Sequence, residues 1–296
     1  IKTGYLVAKR SGLSRLIVGM PLPGKSFTQM PLRNVLRSPW RTVLTALGIA
    51  IAIMIMTFIV GAMDSFVATL QRADDAYRYQ GAERILVDLN FFYPTSSEQI
   101  TALAALTGPD GQPLFTRSEA ALLLGGTLIK DNVSIDTALE LHDMAGAIWV
   151  PALKQGTLEA DRPGLIISEK AAADLGVDVG DTVRLKHPRR EGLLAFRLVE
   201  SEVPVIGIHD NPLRPLSYMP LEGAALMGLE GVTNQVVLDP APGVTPDTIK
   251  AALLTQPGVT SARSIAEFSE GVKSLLEMVT GILAVVQVVA VLLAFL

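Results

Sequence analysis

Two uncharged stretches constrain this chain more than any other feature of its sequence. Val43–Met63 contains no Asp, Glu, Lys or Arg. As an α-helix rising about 1.5 Å per residue it extends about 31 Å, the thickness of a bilayer's hydrocarbon core. In the second stretch, Met278–Leu296, Gln287 is the only strongly polar side chain. A buried helix of a soluble domain is normally shorter and more interrupted, so both stretches read as membrane spans. Neither is a signal peptide: the first starts only at Val43 and is too long for an h-region. Charged residues make up only 18% of the chain, against about a quarter in an ordinary soluble domain, which is the deficit that lipid-facing segments create. The apolar content excludes disorder, and a net charge of −4 disfavours nucleic-acid binding by bulk charge. With no cysteine there is no disulfide framework, thiolate metal site or cysteine nucleophile.

The charge is unevenly placed. Residues 1–42 hold eight Lys or Arg and no acid, so the remainder carries −12. A basic cluster beside the first span places residues 1–42 in the cytoplasm by the positive-inside rule. The segment from Asp64 to Glu277 is then extracytoplasmic, and the second span returns. The chain divides into a basic linker and interfacial segment (1–42), a span (43–63), a stalk helix (64–80), an α+β extracytoplasmic domain (81–271), and a second stalk and span (272–296). Arg33, Arg37, Trp40 and Arg41 are placed at the membrane interface, where arginines meet phosphates and the indole sits at headgroup depth. Pro39 is expected to separate the interfacial segment from the spanning helix. Ala46, Gly48, Ala50 and Ala52 lie at i, i+4 spacing and would let a neighbouring helix approach closely. No charge falls at bilayer depth, so the spans show no ion pathway. Ile1 is not an initiator and Leu296 ends an apolar run, from which the chain is expected to be part of a longer polypeptide.

One motif in the linker is deceptive. Gly19-Met20-Pro21-Leu22-Pro23-Gly24-Lys25-Ser26 matches the phosphate-loop pattern letter for letter. Such a loop cradles phosphates with successive backbone N–H groups, and Pro21 and Pro23 have none. Pro31 blocks the helix that should follow.

In the extracytoplasmic part, Phe66, Leu70, Ala73 and Tyr77 continue a helical spacing, predicting a stalk to about Gln80 that ends at Gly81. Glu83–Asn90 reads as a strand, and Ser96 or Ser97 caps a helix through Leu106. Leu122–Lys130 and Val133–Leu141 form a hairpin about Asp131-Asn132. Leu165–Ile167 is a strand, Ser168 an N-cap, Glu169–Leu175 a helix ended by Gly176, and Gly180-Asp181 a turn into Thr182–Leu185. Further strands are Val203–Ile208, Val236–Asp239 and Val259–Arg263, with a helix over Thr245–Leu254. Short strands mixed with helices make this an α+β domain.

Catalytic and metal constellations are not evident. His142, His187 and His209 have no paired-ligand spacing, and there is no G-x-S-x-G elbow; the expectation is that the chain is not an enzyme and binds no cofactor or metal itself. His209-Asp210 reads as a surface turn. Asp174, Asp178 and Asp181 read as turn carboxylates, because they lack the ligand order of a calcium loop. Asn132-Val133-Ser134 is a formal glycosylation triplet of low specificity. Trp149 and Phe91-Phe92-Tyr93 read as core or domain-interface residues, and the latter cluster is also a candidate extracytoplasmic contact surface.

The segment Leu32-Arg33-Asn34-Val35-Leu36-Arg37-Ser38-Pro39-Trp40-Arg41-Thr42 and its continuation to Ala50 resembles the entry to the first membrane helix of the FtsX-like permeases, the MacB/LolC/LolE type of ABC-transporter membrane subunit. Ile167–Leu185, with its Ala-rich helix and Val-Gly-Asp-Thr-Val, is similar to a recurring piece of that family's periplasmic domain, and Val203–Pro220 to the strand and loop that follow. These pieces span residues 32–296 in the family's order. The resemblance implies a permease of the bacterial inner membrane, dimeric or paired with a second permease half, and driven by a separate cytoplasmic ATPase subunit that binds the ATP. It implies export or extraction of a hydrophobic compound, lipid or lipoprotein, with a periplasmic lipoprotein or adaptor as a further partner. A complete family unit has two more spans, so the chain is expected to be truncated within or after its second span, and the basic, Pro/Gly-rich linker before the first span is what the second half of a tandem permease would show. Two other readings stand beside it: an FtsX-like signal transmitter regulating an extracytoplasmic hydrolase or sensor, and a two-span sensor receptor.

Overall fold

The computed structural model describes residues 39–295, apart from 82, 147, 159–162, 193–194 and 213–214. The phosphate-loop-like Gly19–Ser26 and the interfacial Arg33 and Arg37 lie outside the described residues. The chain falls into two units, one to Ser65 and one from Phe66 onward.

Helix α1 (Pro39–Arg78) begins in the first unit. Pro39 opens it, in the first turn, where backbone N–H groups have no intrahelical partner to lose. Trp40 and Arg41 therefore belong to the first turn of the same helix and do not precede it. Its apolar side chains are exposed, among them Phe58 at 75%. The hydroxyls of Thr45 and Thr57 donate to the carbonyls of Arg41 and Ile53, each 2.9 Å, so neither is left unpaired in an apolar surrounding. Two helices among the described residues are long and apolar enough to cross a membrane, α1 and the terminal helix α5 (Ile265–Phe295).

The second unit carries the sheet. Its strands are β1 (Ile85–Pro94), β2 (Phe115–Lys130), β3 (Val133–His142), β4 (Leu153–Gly156), β5 (Leu165–Ser168), β6 (Thr182–Glu191), β7 (Ala195–His209), β8 (Leu216–Pro220), β9 (Val232–Pro240) and β10 (Val259–Ser264). Short helices α2 (Glu98–Ala104), α3 (Glu169–Leu175) and α4 (Pro246–Leu254) and a 3-10 turn (Leu221–Met227) complete it. β2 is long because it serves two layers. Its first half pairs with β9 in an antiparallel sheet ordered β10-β1-β9-β2. Its second half pairs with β3 on one edge and with β6 on the other. The pairings β2-β3-β8-β5-β7-β6 and back to β2 close a six-stranded ring.

Alternation sorts the side chains. In the open sheet Ile85, Val87, Val236 and Leu238 face α2 and α4, whose Ile100, Leu103, Ile249 and Leu253 complete that core. Leu86 and Val237, one residue out of phase, face the other way into a second cluster. In the ring, Leu122, Leu124 and Leu128 of β2 meet Ile135, Leu139 and Leu141 of β3 and Val183, Leu185, Val203 and Val205 of the β6–β7 pair.

The segment 165–181 folds as its sequence predicts. Ser168 Oγ accepts from the Ala171 N–H at 3.1 Å, and Gly176 ends α3 in the left-handed region at φ 65°. Asp181 accepts from the Asp178 N–H at 2.9 Å and Asp174 pairs with Lys170 at 2.6 Å, so these carboxylates are occupied locally. Elsewhere the elements differ in extent. α1 ends at Arg78, with Gln80 at φ 52°. The helix after Ser97 stops at Ala104, and Ser97 makes no side-chain cap bond. Thr182–Leu185 and Val203–Ile208 are the inner parts of one long antiparallel ribbon, paired from Thr182↔Pro204 to Glu191↔Ala195.

Candidate functional site at the stalk junction

A helix that ends needs partners for its last carbonyls. At the end of α1 they are supplied by Arg84, a residue only 3% exposed. Its Nη1 donates to the carbonyl of Tyr77 and, at 2.9 Å, to that of Gly81. The backbone carbonyl of the same residue accepts from the N–H of Ile265, the first residue of α5, at 3.1 Å. The last turn of one stalk helix and the first turn of the other therefore meet on a single residue. Strand pairing begins immediately beside it, at Ile85↔Ser264. One helical turn from Tyr77, Asp74 accepts a hydrogen bond from Ser269 of α5, with Ala73 buried alongside.

The guanidinium lies over the Trp149 ring, 4.3 Å from its centroid, a cation–π contact strengthened by the burial of both residues. Trp149 is met edge-on by His142 and Tyr218, with centroids 5.4 and 5.3 Å away, and His209 stacks edge-on against Tyr218 at 5.1 Å. His142 Nε2 is 3.2 Å from the Glu140 carboxylate. Glu119 accepts from the Ile148 N–H at 3.0 Å and so holds the segment that presents the indole. Gly81 is required here: a Cβ would sit 2.6 Å from the Ile148 carbonyl oxygen and 3.2 Å from Trp149.

Burial sets the electrostatics. It lowers the Arg84 pKa to about 10, with Tyr218 and Glu140 opposing the shift, so the guanidinium stays charged at neutral pH. Burial lowers the His209 pKa to about 4, and its Nε2–H donates to the Leu216 carbonyl at 3.1 Å. The Tyr218 hydroxyl is pushed well up, first by burial and then by Glu140. A charged, aromatic, buried cluster of this kind holds elements together.

His209 corrects the reading of a surface turn. It is the last residue of β7, 1% exposed, because the strand's inner half is buried up to its end. The small residues Ala46, Gly48, Ala50 and Ala52 are exposed on α1, and nothing lies within 4 Å of a Cβ built on Gly48. Trp40, 78% exposed, and Arg41 stand on the first turn. The aromatic cluster on β1 divides. Phe91 faces outward at 45% exposure, whereas Phe92 packs against the ring and Phe196 (centroids 5.4 Å). Tyr93 packs on the α2–α4 core, and its hydroxyl donates to Asn90 at 2.8 Å. No sequence motif marks Arg84, Tyr77, His142 or Tyr218 as parts of one site. Arg84 is the charged residue just before the apolar Ile85–Val87, and that position at a strand's start is the only signal it gives.

The model of the MacB-like periplasmic core domain matches residues 42–256, more than two thirds of the chain. No curated protein matches it. Among solved structures, the periplasmic region of MacB from Actinobacillus actinomycetemcomitans is 14% identical over 68% of this chain and 95% of that one, with a TM-score of 0.39. The extracellular domain of the noncanonic ABC-type transporter YknZ from Gram-positive bacteria is 17% identical over 60% and 98%, with a TM-score of 0.37. With its two membrane-length helices and its α+β module outside the cytoplasm, the chain belongs to the MacB-like periplasmic core domain family, the MacB/FtsX-like permeases of the ABC-transporter type.

Proposed function

We propose that this chain is the membrane subunit through which a separate cytoplasmic ATPase moves an extracytoplasmic domain in the bacterial inner membrane, exporting or extracting a hydrophobic compound, lipid or lipoprotein. The observation that carries the reading is the convergence of both stalk helices on Arg84: Tyr77 and Gly81 carbonyls on its side chain, the Ile265 N–H on its backbone. A displacement of either helix end is then felt at the first residues of β1 and β10, and through β9 and β2 in the ring. Interfaces packed this closely move as units and do not deform gradually. In this reading the chain itself catalyses nothing and binds no cofactor; ATP belongs to the partner. It works with a second permease half or a second copy, and Phe91 on the outward face of β1 is available to a periplasmic lipoprotein or adaptor.

The test is co-purification of the full chain with a cytoplasmic ABC-type ATPase from the same cells, followed by ATP hydrolysis with and without the chain in lipid. Association and a several-fold change in hydrolysis are expected, and Arg84→Lys, which keeps the charge but not the two-carbonyl geometry, should weaken the change while leaving association intact. Neither association nor an effect on hydrolysis would defeat the reading and favour a two-span receptor.

A further inference from the structure

The stalk helices part below the Arg84 junction and leave a cleft of about 440 Å³. Gln71, Asp74 and Arg78 of α1 line one wall, and Glu270, Lys273 and Leu276 of α5 the other. Ser269, a lining residue only 7% exposed, donates a hydrogen bond across it to Asp74. Glu83 stands at its upper rim.

The cleft collects charges of both signs on one concave surface. Arg117, Lys154, Lys170, Arg184, Arg197 and Arg263 each reach a carboxylate within 3 Å. Among the described residues, Arg78, Glu83, Glu270 and Lys273 form no ion pair, although they share one concave surface. Glu270 and Lys273 are three apart on α5, hence neighbours on one helical face about one turn apart along the axis. They stay separate, presenting a cation nearer the membrane and an anion above it.

Height above the bilayer identifies what can use them. Lys273 precedes the apolar run at Met278 by five positions, about 7.5 Å of helix, which is within the roughly 5–8 Å headgroup layer of one leaflet. Glu270 stands about 4.5 Å farther out. Leu276, half-buried, lies between Lys273 and the membrane. A phosphate held by Lys273 carries an attached ammonium outward to Glu270, and its acyl side faces Leu276 and the hydrocarbon. An anionic headgroup without an amine would meet Asp74, Glu83 and Glu270 uncompensated. A bulky quaternary amine loses the N–H donors that a carboxylate and the Gln71 amide can accept.

We propose that the cleft between the stalk helices is a binding site for a phosphoethanolamine group, with Lys273 on the phosphate and Glu270 on the ammonium. The group is available from a membrane lipid headgroup or as the free phosphoester. The full chain is reconstituted in nanodiscs of phosphatidylethanolamine, phosphatidylglycerol and phosphatidylcholine in equal parts, released into mild detergent, and weighed by native mass spectrometry. Retention of phosphatidylethanolamine roughly ten-fold over the other two is expected. The double variant E270Q/K273Q, both exposed positions that leave the core untouched, should bring the three lipids to parity, whereas Arg197→Gln on the distant ribbon should preserve the preference. Titration with O-phosphoethanolamine separates the sources. Displacement of the lipid shows that the free phosphoester suffices; a preference that resists displacement assigns the site to the lipid. Equal retention of the three lipids by the unaltered chain, or a preference that survives in E270Q/K273Q, overturns the proposal.

Discussion

The stalk junction and the β6–β7 ribbon use the same residue types in opposite ways. At the junction a single arginine is buried, donates to two backbone carbonyls and lies on an indole. Along the ribbon, Arg184 faces Glu200 at 2.9 Å and Arg197 faces Glu191 at 2.6 Å, with all four side chains between 44% and 66% exposed. The ribbon's pairs keep their water and can be remade in many geometries. Arg84 has given up its water, so its one geometry is enforced. Charge binds two elements rigidly only where the alternative to the observed contact is an unpaired buried group.

The comparison breaks if Arg84 proves dispensable. Arg84→Met should destabilise the domain by about 3–5 kcal/mol in urea unfolding monitored by Trp149 fluorescence, because two carbonyls lose their donor and the indole its cation. A loss below about 1 kcal/mol, the range of an exposed pair, would place the junction in the same class as the ribbon.

Acid tests the same contrast at a second group. The folded-state pKa of His209 is lowered from 6.5 to about 4, so the unfolded chain takes up a proton that the folded chain refuses. Stability is full above pH 6.5 and falls as pH drops toward 4, by about 3 kcal/mol in total. Urea midpoints measured from about pH 7.5 to 4.5 should show this slope, and His209→Gln should flatten it. An unchanged slope in the variant would transfer the effect to other groups.

The smallest effect sharpens the far side of the comparison. Arg197→Gln should cost less than about 0.5 kcal/mol, and that cost should vanish in about 0.5 M salt, since exposed pairs are screened. A loss well beyond the roughly 1 kcal/mol upper range of exposed pairs would show that the ribbon is held by its charges after all.

What could be read in the sequence follows the range of the forces involved. Ser168, Gly176 and Asp181 act within a few positions of themselves, and the strand–helix–turn they punctuate folds where their spacing puts it. The two apolar runs are equally local. The ribbon is only half visible, because Pro188 and the charged residues from Arg189 to Glu191 erase the apolar alternation in a region where both faces meet water. β4 and β8 are too short for a periodic signal. The junction is hidden for a different reason. Nothing near Arg84 in the chain reveals that it will be covered by Trp149, 65 positions later, or tied to Ile265, 181 positions later. His209 is misread because a His-Asp pair after a strand has the composition of a turn, whereas its burial is decided by Tyr218 and Leu216.

The pairing of Ile85 with Ser264 has a consequence for how such chains diversify. A folded module whose entry and exit are adjacent can be replaced by another of any size without altering the path of the polypeptide on either side. Everything between those two residues is, topologically, one excursion from a pair of helices. The module between those residues is thereby free to vary in size and surface, while the helices that carry it keep one path.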